Sequence, residues 1–281
     1  INQIYFGVLL MDAQTAQVNV LKNDLKTSLA KTEASIKNGT AFKSNGEMIE
    51  AEILKSEQRL IEMRATRKGY LDMLGYFINM PLGENTVLEK PVDILFESTP
   101  EIKRPEMKLY QFQTDLLSAQ YKANITRNVP KLGFFVQGGY GRPGLNVLKN
   151  EFDTYYLGGF RLNWTLSGFY NSHRDRQLLD INSRIVNTQK DAFIFNTNLT
   201  LSQQGIEVSK LQQLIVVDDD IIALRTRIAN TSKAQHENGV ISTSDMLREL
   251  NAEDAAKQNL LVHQVQLMLA RYNYQTTIGN Q

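Results

Sequence analysis

The sequence predicts a mainly α-helical protein with a small β part, built from long antiparallel coiled-coil hairpins and one pair of strands. Two observations carry this prediction. All six prolines lie between Pro81 and Pro143, so both flanks of the chain can form very long helices, since proline is the strongest helix breaker. Between the flanks, two aromatic, glycine-rich runs alternate apolar and polar residues as strands do.

The first flank, residues 1–81, predicts two helices joined by a short turn. Mostly apolar residues recur at alternating spacings of four and three over positions 4–36, and again over 49–77. Asn38-Gly39 separates the two runs, and glycine is the usual residue just beyond a helix C-terminus. The second helix is expected to resume near Glu47. Sustained heptads in two consecutive helices predict an antiparallel coiled-coil hairpin.

Residues 82–104 break this pattern and predict an irregular connector with at most one short strand. Three prolines punctuate the stretch and its end, and proline clusters mark loops. A third helix is expected within 105–131, from about Pro105 to Asn128, because proline is favourable at the first helical position.

Residues 132–166 predict the strand pair. In the first run one face would carry Leu132, Phe134, Val136 and Tyr140. In the second run Arg161 would lie on the polar face. Each run has about ten residues, which is the length a tilted strand needs to cross a bilayer. These residues alone leave open an ordinary hairpin with one face on a soluble core. On the apolar face of the second run would lie Tyr156, Phe160, Leu162, Trp164 and Leu166.

The second flank, 167–281, predicts one very long helix and a final one. The long helix runs from near Ser172 to His236, about 65 residues or roughly 100 Å, which an ordinary globular domain does not contain. Asn238-Gly239 ends it, and the last helix is expected from about Asp245 to Ile278. One apolar seam comprises Leu178, Ile181, Ile185, Ala192, Phe195, Leu199 and Ile206. After a phase shift near Gly205, a second seam comprises Leu211, Leu214, Ile221, Leu224 and Ile228.

An internal repeat connects the two flanks. IKNGTAFKSNGEMIEAE, from Ile36, and HENGVISTSDMLRELNAE, from His236, share the order helix, Asn-Gly, polar turn, acidic residue, helix. Aligned on the acidic residue, the first loop is two residues longer than the second. The Ser or Thr and the acidic residue are expected to cap the following helix and offset its dipole. Repeats at this spacing indicate duplicated halves.

Composition excludes several function classes. The 31 basic and 30 acidic residues give a net charge of +1, which provides no bulk attraction for nucleic acid. There are no cysteines, and His173, His236 and His263 match no zinc spacing, so no metal or cofactor is predicted. No run approaches the roughly 18 apolar residues of a membrane helix, so any membrane crossing would use barrel strands.

No enzyme is predicted either. The glycines of 138–144 are followed by a Pro-Gly turn and a second strand, whereas a dinucleotide site needs them to open a helix. Asp218, Asp219 and Asp220 spread over roughly 300° of a helix, so they cannot form one carboxylate cluster. Whether one of them faces a lumen stays open. A helix-bundle metalloenzyme would need Glu-x-x-His pairs, and no histidine has a glutamate three residues before it.

In their order and spacing, four features together are similar to the TolC-like outer-membrane efflux proteins of Gram-negative bacteria. The resemblance covers essentially the whole chain, although no single motif is strongly specific. The features are the turn 239–247, the terminal ARYNY of 270–274 leading to Ile278-Gly279, the stretch 74–82 before the connector, and the helix–Pro130–strand–strand–helix order around 166–169.

The resemblance implies a homotrimer in which each chain gives four strands to one outer-membrane barrel, and helices continue as an α-barrel across the periplasm. Residues 1–81 would be the first periplasmic hairpin and 82–104 the equatorial connector. Residues 105–131 would be the helix leading to the barrel, 132–166 a barrel strand pair, and 167–281 the long helix with the second periplasmic hairpin. Another strand pair is expected before Ile1, so the chain is expected to be an N-terminally truncated fragment.

The resemblance also assigns candidate site residues. Asp245 would lie at the channel constriction, and Arg248 departs from the acidic residue expected there. It would either weaken an acidic ring or pair with Asp245. The lipid-facing strand residues would be Tyr156, Phe160, Leu162 and Trp164. The tip turns that contact a periplasmic adaptor, and through it an inner-membrane pump, would include Gly39, Thr40, Ser44, Gly239, Ser242 and Thr243.

The expected function is therefore a passive exit duct for drugs, small molecules or proteins, in a tripartite efflux or type I secretion system. It would lie in the outer membrane, in contact with lipid, with a periplasmic extension. The alternative is a periplasmic coiled-coil adaptor without channel activity. An adaptor has one hairpin between β-rich domains, whereas this chain predicts two hairpins flanking a strand pair.

Overall fold

A computed structural model describes residues 1–94, 101–166 and 168–280, without the side chain of Phe169. The described part holds five α-helices and two β-strands, which confirms the predicted class of long helical hairpins with a small β part. In chain order the elements are α1 (Asn2–Lys37), α2 (Lys43–Ile78), α3 (Pro105–Arg127), β1 (Lys131–Gly141), β2 (Asp153–Asn163), α4 (Gly168–Glu237) and α5 (Thr243–Ile278).

Several element bounds differ from the predicted ones. Helix α2 begins at Lys43 rather than near Glu47, directly after the extended backbone of Phe42. Helix α4 begins at Gly168 and has 70 residues. Strand β2 ends at Asn163, so Trp164 and Leu166 lie just beyond it. In the connector, residues 82–94 and 101–104 contain no helix or strand, and the remainder, 95–100, lies outside the described residues.

One compact unit comprises Ile1–Ile102 and Thr197–Gln281. Helices α1 and α2 pack side by side in it as the first hairpin, and α5 packs against α1. Each fully buried Leu or Ile contributes about 1.5–3 kcal/mol to its stability. The predicted positions Val18 and Leu25 of α1 are buried, whereas Phe77 of α2 is 61% exposed. The core joins four helices through Leu21, Leu25, Ile49, Ile53, Ala229, Met246, Leu247 and Leu250.

Within this unit the connector is held in place by side chains of α1 and α2. Arg67 of α2 donates to the backbone carbonyls of Glu84 and Thr86 at 2.6 and 2.7 Å, and pairs with Asp12 of α1 at 2.6 Å. The hydroxyl of Tyr5 donates to the carbonyl of Glu89 at 2.5 Å. The irregular course of the connector is therefore fixed by side chains that bind its backbone.

The other unit, Lys103–Asn196, contains α3, the strand pair and the first part of α4. The strands are antiparallel, and their register sets Phe134 opposite Phe160 and Leu132 opposite Leu162. The predicted apolar faces of the two strands therefore lie on the same side of the sheet. These four side chains are 64–77% exposed. Among the described residues, no helix is both long and apolar enough to cross a membrane.

Most residues of the predicted apolar seams of α4 do not lie on the face by which this helix packs on its own chain. The apolar side chains that α4 buries are Leu201, Val208, Leu211 and Ala229, of which only Leu211 belongs to a predicted seam. Periodicity places residues on one face of a helix, but it does not say what covers that face. The exposed seam residues, 41–70% accessible, are Leu178, Ile181, Ile185, Phe195, Leu199, Ile206, Ile221, Leu224 and Ile228.

Candidate functional site: the paired tip turns

The two repeated turns have the same backbone geometry and the same length. Five residues, 38–42, separate α1 from α2, and five, 238–242, separate α4 from α5. Gly39 and Gly239 have φ angles of 71° and 72°, in the left-handed region that favours glycine. The next residue in each turn donates its N–H five residues back, Thr40 to Ser35 at 2.9 Å and Val240 to Gln235 at 2.8 Å. Both helices thus end in a Schellman motif.

The turns differ in how the next helix begins. The hydroxyl of Ser242 accepts from the backbone N–H of Asp245, which caps α5. Phe42 occupies the corresponding position before α2 and makes no side-chain cap. Ser44, predicted as part of the turn, lies inside the first turn of α2. The expectation of a cap in both turns is therefore wrong for the first, because the two apparent extra residues belong to the helix.

The two turns line a common groove of about 790 Å³. Its lining includes the hydroxyl groups of six Ser and Thr residues and the imidazole of His236. Its apolar part includes Phe42, which is 80% exposed. Ile241 packs on the core beneath. Of the six predicted tip residues, Gly39 and Ser44 do not line it. The four that do are Thr40, Gly239, Ser242 and Thr243.

Two ion pairs join α1 to α4 beside the groove. The Nζ of Lys31 lies 2.6 Å from a carboxylate oxygen of Glu237, and the Nζ of Lys233 lies 2.8 Å from Asp24. The hydrogen bond from Lys31 holds the pKa of Glu237 below its ordinary value. Because these side chains are largely solvated, each pair contributes at most about 1 kcal/mol. They nevertheless connect the two hairpins directly at their tips.

His236 also lies in the groove. Its Nε2 is 3.0 Å from the hydroxyl of Thr243. Burial lowers the pKa of His236, and the nearby Glu237 opposes this only in part. The imidazole is therefore neutral at pH 7. The main charged groups around it are the ion pairs of Lys31 with Glu237 and of Lys233 with Asp24.

Asp245 and Arg248 form an ion pair within α5. An oxygen of Asp245 lies 3.3 Å from Nη1 of Arg248, whose Nε also lies 3.2 Å from Glu249. The hydroxyl of Ser242 donates to Asp245 at 2.6 Å and is the main reason that the pKa of Asp245 is lowered. Of the two alternatives for Arg248, the structure therefore shows the pairing. Glu249 continues the network to Arg225 of α4 at 3.2 Å.

The three consecutive aspartates of α4 diverge as the helical geometry predicts. Asp218 is buried, and its carboxylate lies 2.5 Å from Nδ1 of His263 of α5. Asp219 and Asp220 are exposed. The pairing of Asp218 with His263 is not predictable from the sequence, because the two residues are 45 positions apart.

A second buried carboxylate lies where α5 meets α1 and α2. Asp254 is 3% exposed and accepts hydrogen bonds from Gln17 at 3.2 Å and from Arg59 at 3.4 Å. Burial raises its pKa, and both partners oppose that effect. Nothing in the local sequence distinguishes Asp254 from the solvated charges around it, so its burial is not predictable from the sequence either.

The predicted lipid-facing residues are exposed on the strand unit. Tyr156, Phe160 and Leu162 lie on the same face of β2 and are 64–80% accessible. Trp164 follows the strand, and its Nε1 donates to the carbonyl of Asn128 at 3.3 Å. Trp164 is thus tied to the end of α3 rather than aligned with the strand.

No protein-family model and no curated protein matches the sequence. Solved structures do match. The outer membrane protein VceC from Vibrio cholerae has 12% identity and a TM-score of 0.72, covering 99% of this chain and 68% of its own. The outer membrane channel CmeC from Campylobacter jejuni has 12% identity and a TM-score of 0.65, covering 99% and 61%.

The open state of the MtrE outer membrane channel from Neisseria gonorrhoeae matches with 11% identity and a TM-score of 0.69. That match covers 98% of this chain and 65% of MtrE. The chain therefore spans about two thirds of the length of these proteins. At such identities the likeness shows the fold.

Proposed function

We propose that this chain, which has the fold of the TolC-like outer-membrane channels, is a subunit of a passive exit duct in the outer membrane. The duct would belong to a tripartite efflux or type I secretion system. The observation that carries the proposal is the presence of two helical hairpins, one before and one after the strand pair in the sequence, whose turns meet in a single groove. A periplasmic adaptor has one hairpin and does not need this arrangement.

The strand pair is the proposed contact with outer-membrane lipid. Its strands have 11 residues each, about 36 Å at roughly 3.3 Å per residue, which suffices to cross the apolar layer at a tilt. The exposed face of Tyr156, Phe160 and Leu162 would meet acyl chains, and Trp164 would lie near the headgroups, where tryptophan is favoured. Arg161, on the other face, covers the ring of Phe135 at 5.1 Å.

The uncovered seam of α4 supports assembly from several copies. A single chain leaves many large apolar side chains of this helix accessible, and soluble monomers rarely expose such continuous surfaces. In a homotrimer the copies would cover these side chains and close the strands and helices into a tube.

The paired tip turns are the proposed contact with a periplasmic adaptor, which would connect the duct to an inner-membrane pump. Energy for export would come from that pump. Gly239→Trp or Ser242→Trp should impair adaptor engagement, because each places an indole in the groove. Trimer assembly should be unaffected. Unchanged export in both variants would contradict the tip assignment.

The constriction is proposed to lie at Asp245 and Arg248. With its carboxylate paired to Arg248 in the same chain, Asp245 would present less free negative charge to a passing cation than an unpaired carboxylate. At the start of α5, Arg248 is exposed and Asp245 is half-buried, which is compatible with this role.

The deciding experiment is fractionation and single-channel recording of the full-length protein. We expect an outer-membrane, detergent-requiring trimer that conducts ions in planar bilayers. A full-length protein that is soluble, monomeric and never associated with membranes would overturn the proposal. A membrane-bound protein without conductance would favour an adaptor instead.

A further inference from the structure

Near its C-terminal end, α4 carries an apolar stripe that its own chain leaves uncovered. Val217, Ile221, Leu224 and Ile228 follow one another at spacings of four, three and four, which keeps them on one face of the helix. They are 41–53% exposed. Ala229, which is buried in the core, lies on a different face.

Helix α2 carries a second uncovered stripe. Leu54 is 59% and Ile61 66% exposed, whereas the neighbouring Ile53 and Leu60 are buried against the core. At about 100° per residue, the exposed stripe points roughly 150° away from the buried one. Its members, at spacings of three and four, are Ala51, Leu54, Gln58, Ile61 and Ala65, and all are exposed.

The two stripes lie at the same height above the tip groove. Helix α2 starts at the first turn and α4 ends at the second, and both turns line that groove. At about 1.5 Å per residue, Leu54 and Ile228 are each about 15 Å above their turns, and Ile61 and Ile221 about 25 Å. The apolar residues of the two stripes therefore recur at matching levels.

Charges beside the stripes are complementary. Glu50 of α2 and Arg227 of α4 are exposed, and within the described residues neither makes an ion pair. If the stripes face each other with the helices antiparallel, a helical wheel sets both side chains on the same side of the contact. An opposite-charge pair at the rim of an apolar contact fixes register and partner choice.

We propose that the α4 stripe packs against the α2 stripe of the next copy of this chain. Each copy then offers one stripe and receives the other, which is a heterologous contact that closes into a ring. Alternating spacings of three and four on both helices suit knobs-into-holes packing. This assignment rests on the proposed function, because it names the surfaces by which the subunits of the duct meet.

The chain has no cysteine, so introduced thiols can be cross-linked without background. In the full-length protein in membranes, Ile61→Cys combined with Ile221→Cys should give covalent dimers and trimers with a short bismaleimide. Either single variant should stay monomeric on a denaturing gel. The matched control is Ile61→Cys with Ala223→Cys, since Ala223 is exposed at a similar height on another face of α4.

A charge swap provides a second measurement. Glu50→Arg or Arg227→Glu alone should reduce the trimer on a native gel, and the double variant should restore it. Monomeric products from the Ile61/Ile221 pair in a protein that remains a trimer would overturn this interface and leave the duct intact. Equally strong bands of covalent dimer and trimer from the Ile61/Ala223 control pair would also overturn it. A wild-type protein that never oligomerises would instead contradict the proposed function itself.

Discussion

The hydroxyl of Ser242 makes two hydrogen bonds with Asp245: it accepts from the backbone N–H at 3.2 Å and donates to the carboxylate at 2.6 Å. This contact starts α5 and orients the carboxylate that pairs with Arg248. The first tip turn has the same backbone course without this cap. The repeat is therefore conserved in its turn geometry but not in the chemistry that begins the next helix.

Ser242→Ala should destabilise the protein by about 1 kcal/mol, because the first turn of α5 loses its cap. Thermal unfolding of the purified protein measures this loss. Ser44→Ala is the matched control, since Ser44 lies inside α2 and caps nothing; it should change stability by less than about 0.5 kcal/mol. Equal effects of the two substitutions would show that the Ser242 hydroxyl is not a working cap.

Glu237→Gln should ease separation of the two hairpins at their tips, because it removes the charge that holds Lys31. If the tips gate the duct, open-channel conductance or open time should increase, while stability changes by less than about 1 kcal/mol. Glu207→Gln is the control, because Glu207 pairs with Lys210 within α4 at 2.6 Å and links no two helices. An equal conductance change in both variants would contradict the role of the Lys31–Glu237 pair in holding the tips together.

Acidification should weaken the same link. The pKa of Glu237 is lowered in the folded protein, so its contribution is present above the ordinary carboxylate range and is lost as pH falls through the folded pKa. The conductance of the wild-type channel should therefore approach that of the Glu237→Gln channel only at pH below about 4. A difference that vanishes already near pH 6 would point to another group, such as His236.

Arg248→Glu should change ion selectivity towards cations. The substitution removes the partner of Asp245 and adds a second carboxylate at the proposed constriction. Reversal potentials in a salt gradient measure the change. Lys55→Glu, a charge reversal of the same sign on exposed α2, should leave selectivity as in the wild type. If Arg248→Glu has no effect either, Arg248 points away from the lumen.

Asp254→Asn should raise the Tm at pH 7. Burial raises the folded pKa of Asp254, so this carboxyl group contributes most favourably in its protonated form, below its unfolded pKa, and that contribution is lost as pH rises through the folded pKa. The advantage of the amide should therefore shrink as pH falls to about 4. Asp220→Asn, at an exposed position, should not change the Tm. A lower Tm for Asp254→Asn would mean that Arg59 and Gln17 outweigh the cost of burial.

The C-terminal ends of α1 and α4 could be predicted from local residues. The start of α2 could not, because no capping residue marks it. Gly39 and Gly239 signal a left-handed residue beyond a helix, and both helices end there. The start of α2 follows Phe42, whose side chain cannot accept a hydrogen bond, so no sequence signal marks it. Ser44 and Glu47 look like a cap and its acidic partner, but both lie inside the helix.

Contacts distant in sequence were not predictable. Arg67 binds the backbone carbonyls of Glu84 and Thr86, and backbone carbonyls carry no residue-specific signal. The partners of Asp218 and Asp254 come from other helices. For α4, the spacing of apolar residues identified those that share a face. It did not show that the chain itself leaves most of that face uncovered.

Two glycines of α2 should respond oppositely to the same substitution. A Cβ on Gly75 would lie 2.8 Å from the backbone carbonyl oxygen of Met80, whose N–H donates to Gly75 at 3.0 Å, so Gly75→Ala must displace the end of the helix. A Cβ on Gly69 meets nothing within 4 Å, so Gly69→Ala should stabilise the helix by about 0.5–1 kcal/mol. Thermal unfolding should therefore give a lower Tm for Gly75→Ala and a higher one for Gly69→Ala. Stabilisation by both would mean that the turn after α2 relaxes freely, and destabilisation by both would mean that Gly69 is covered in the assembled protein.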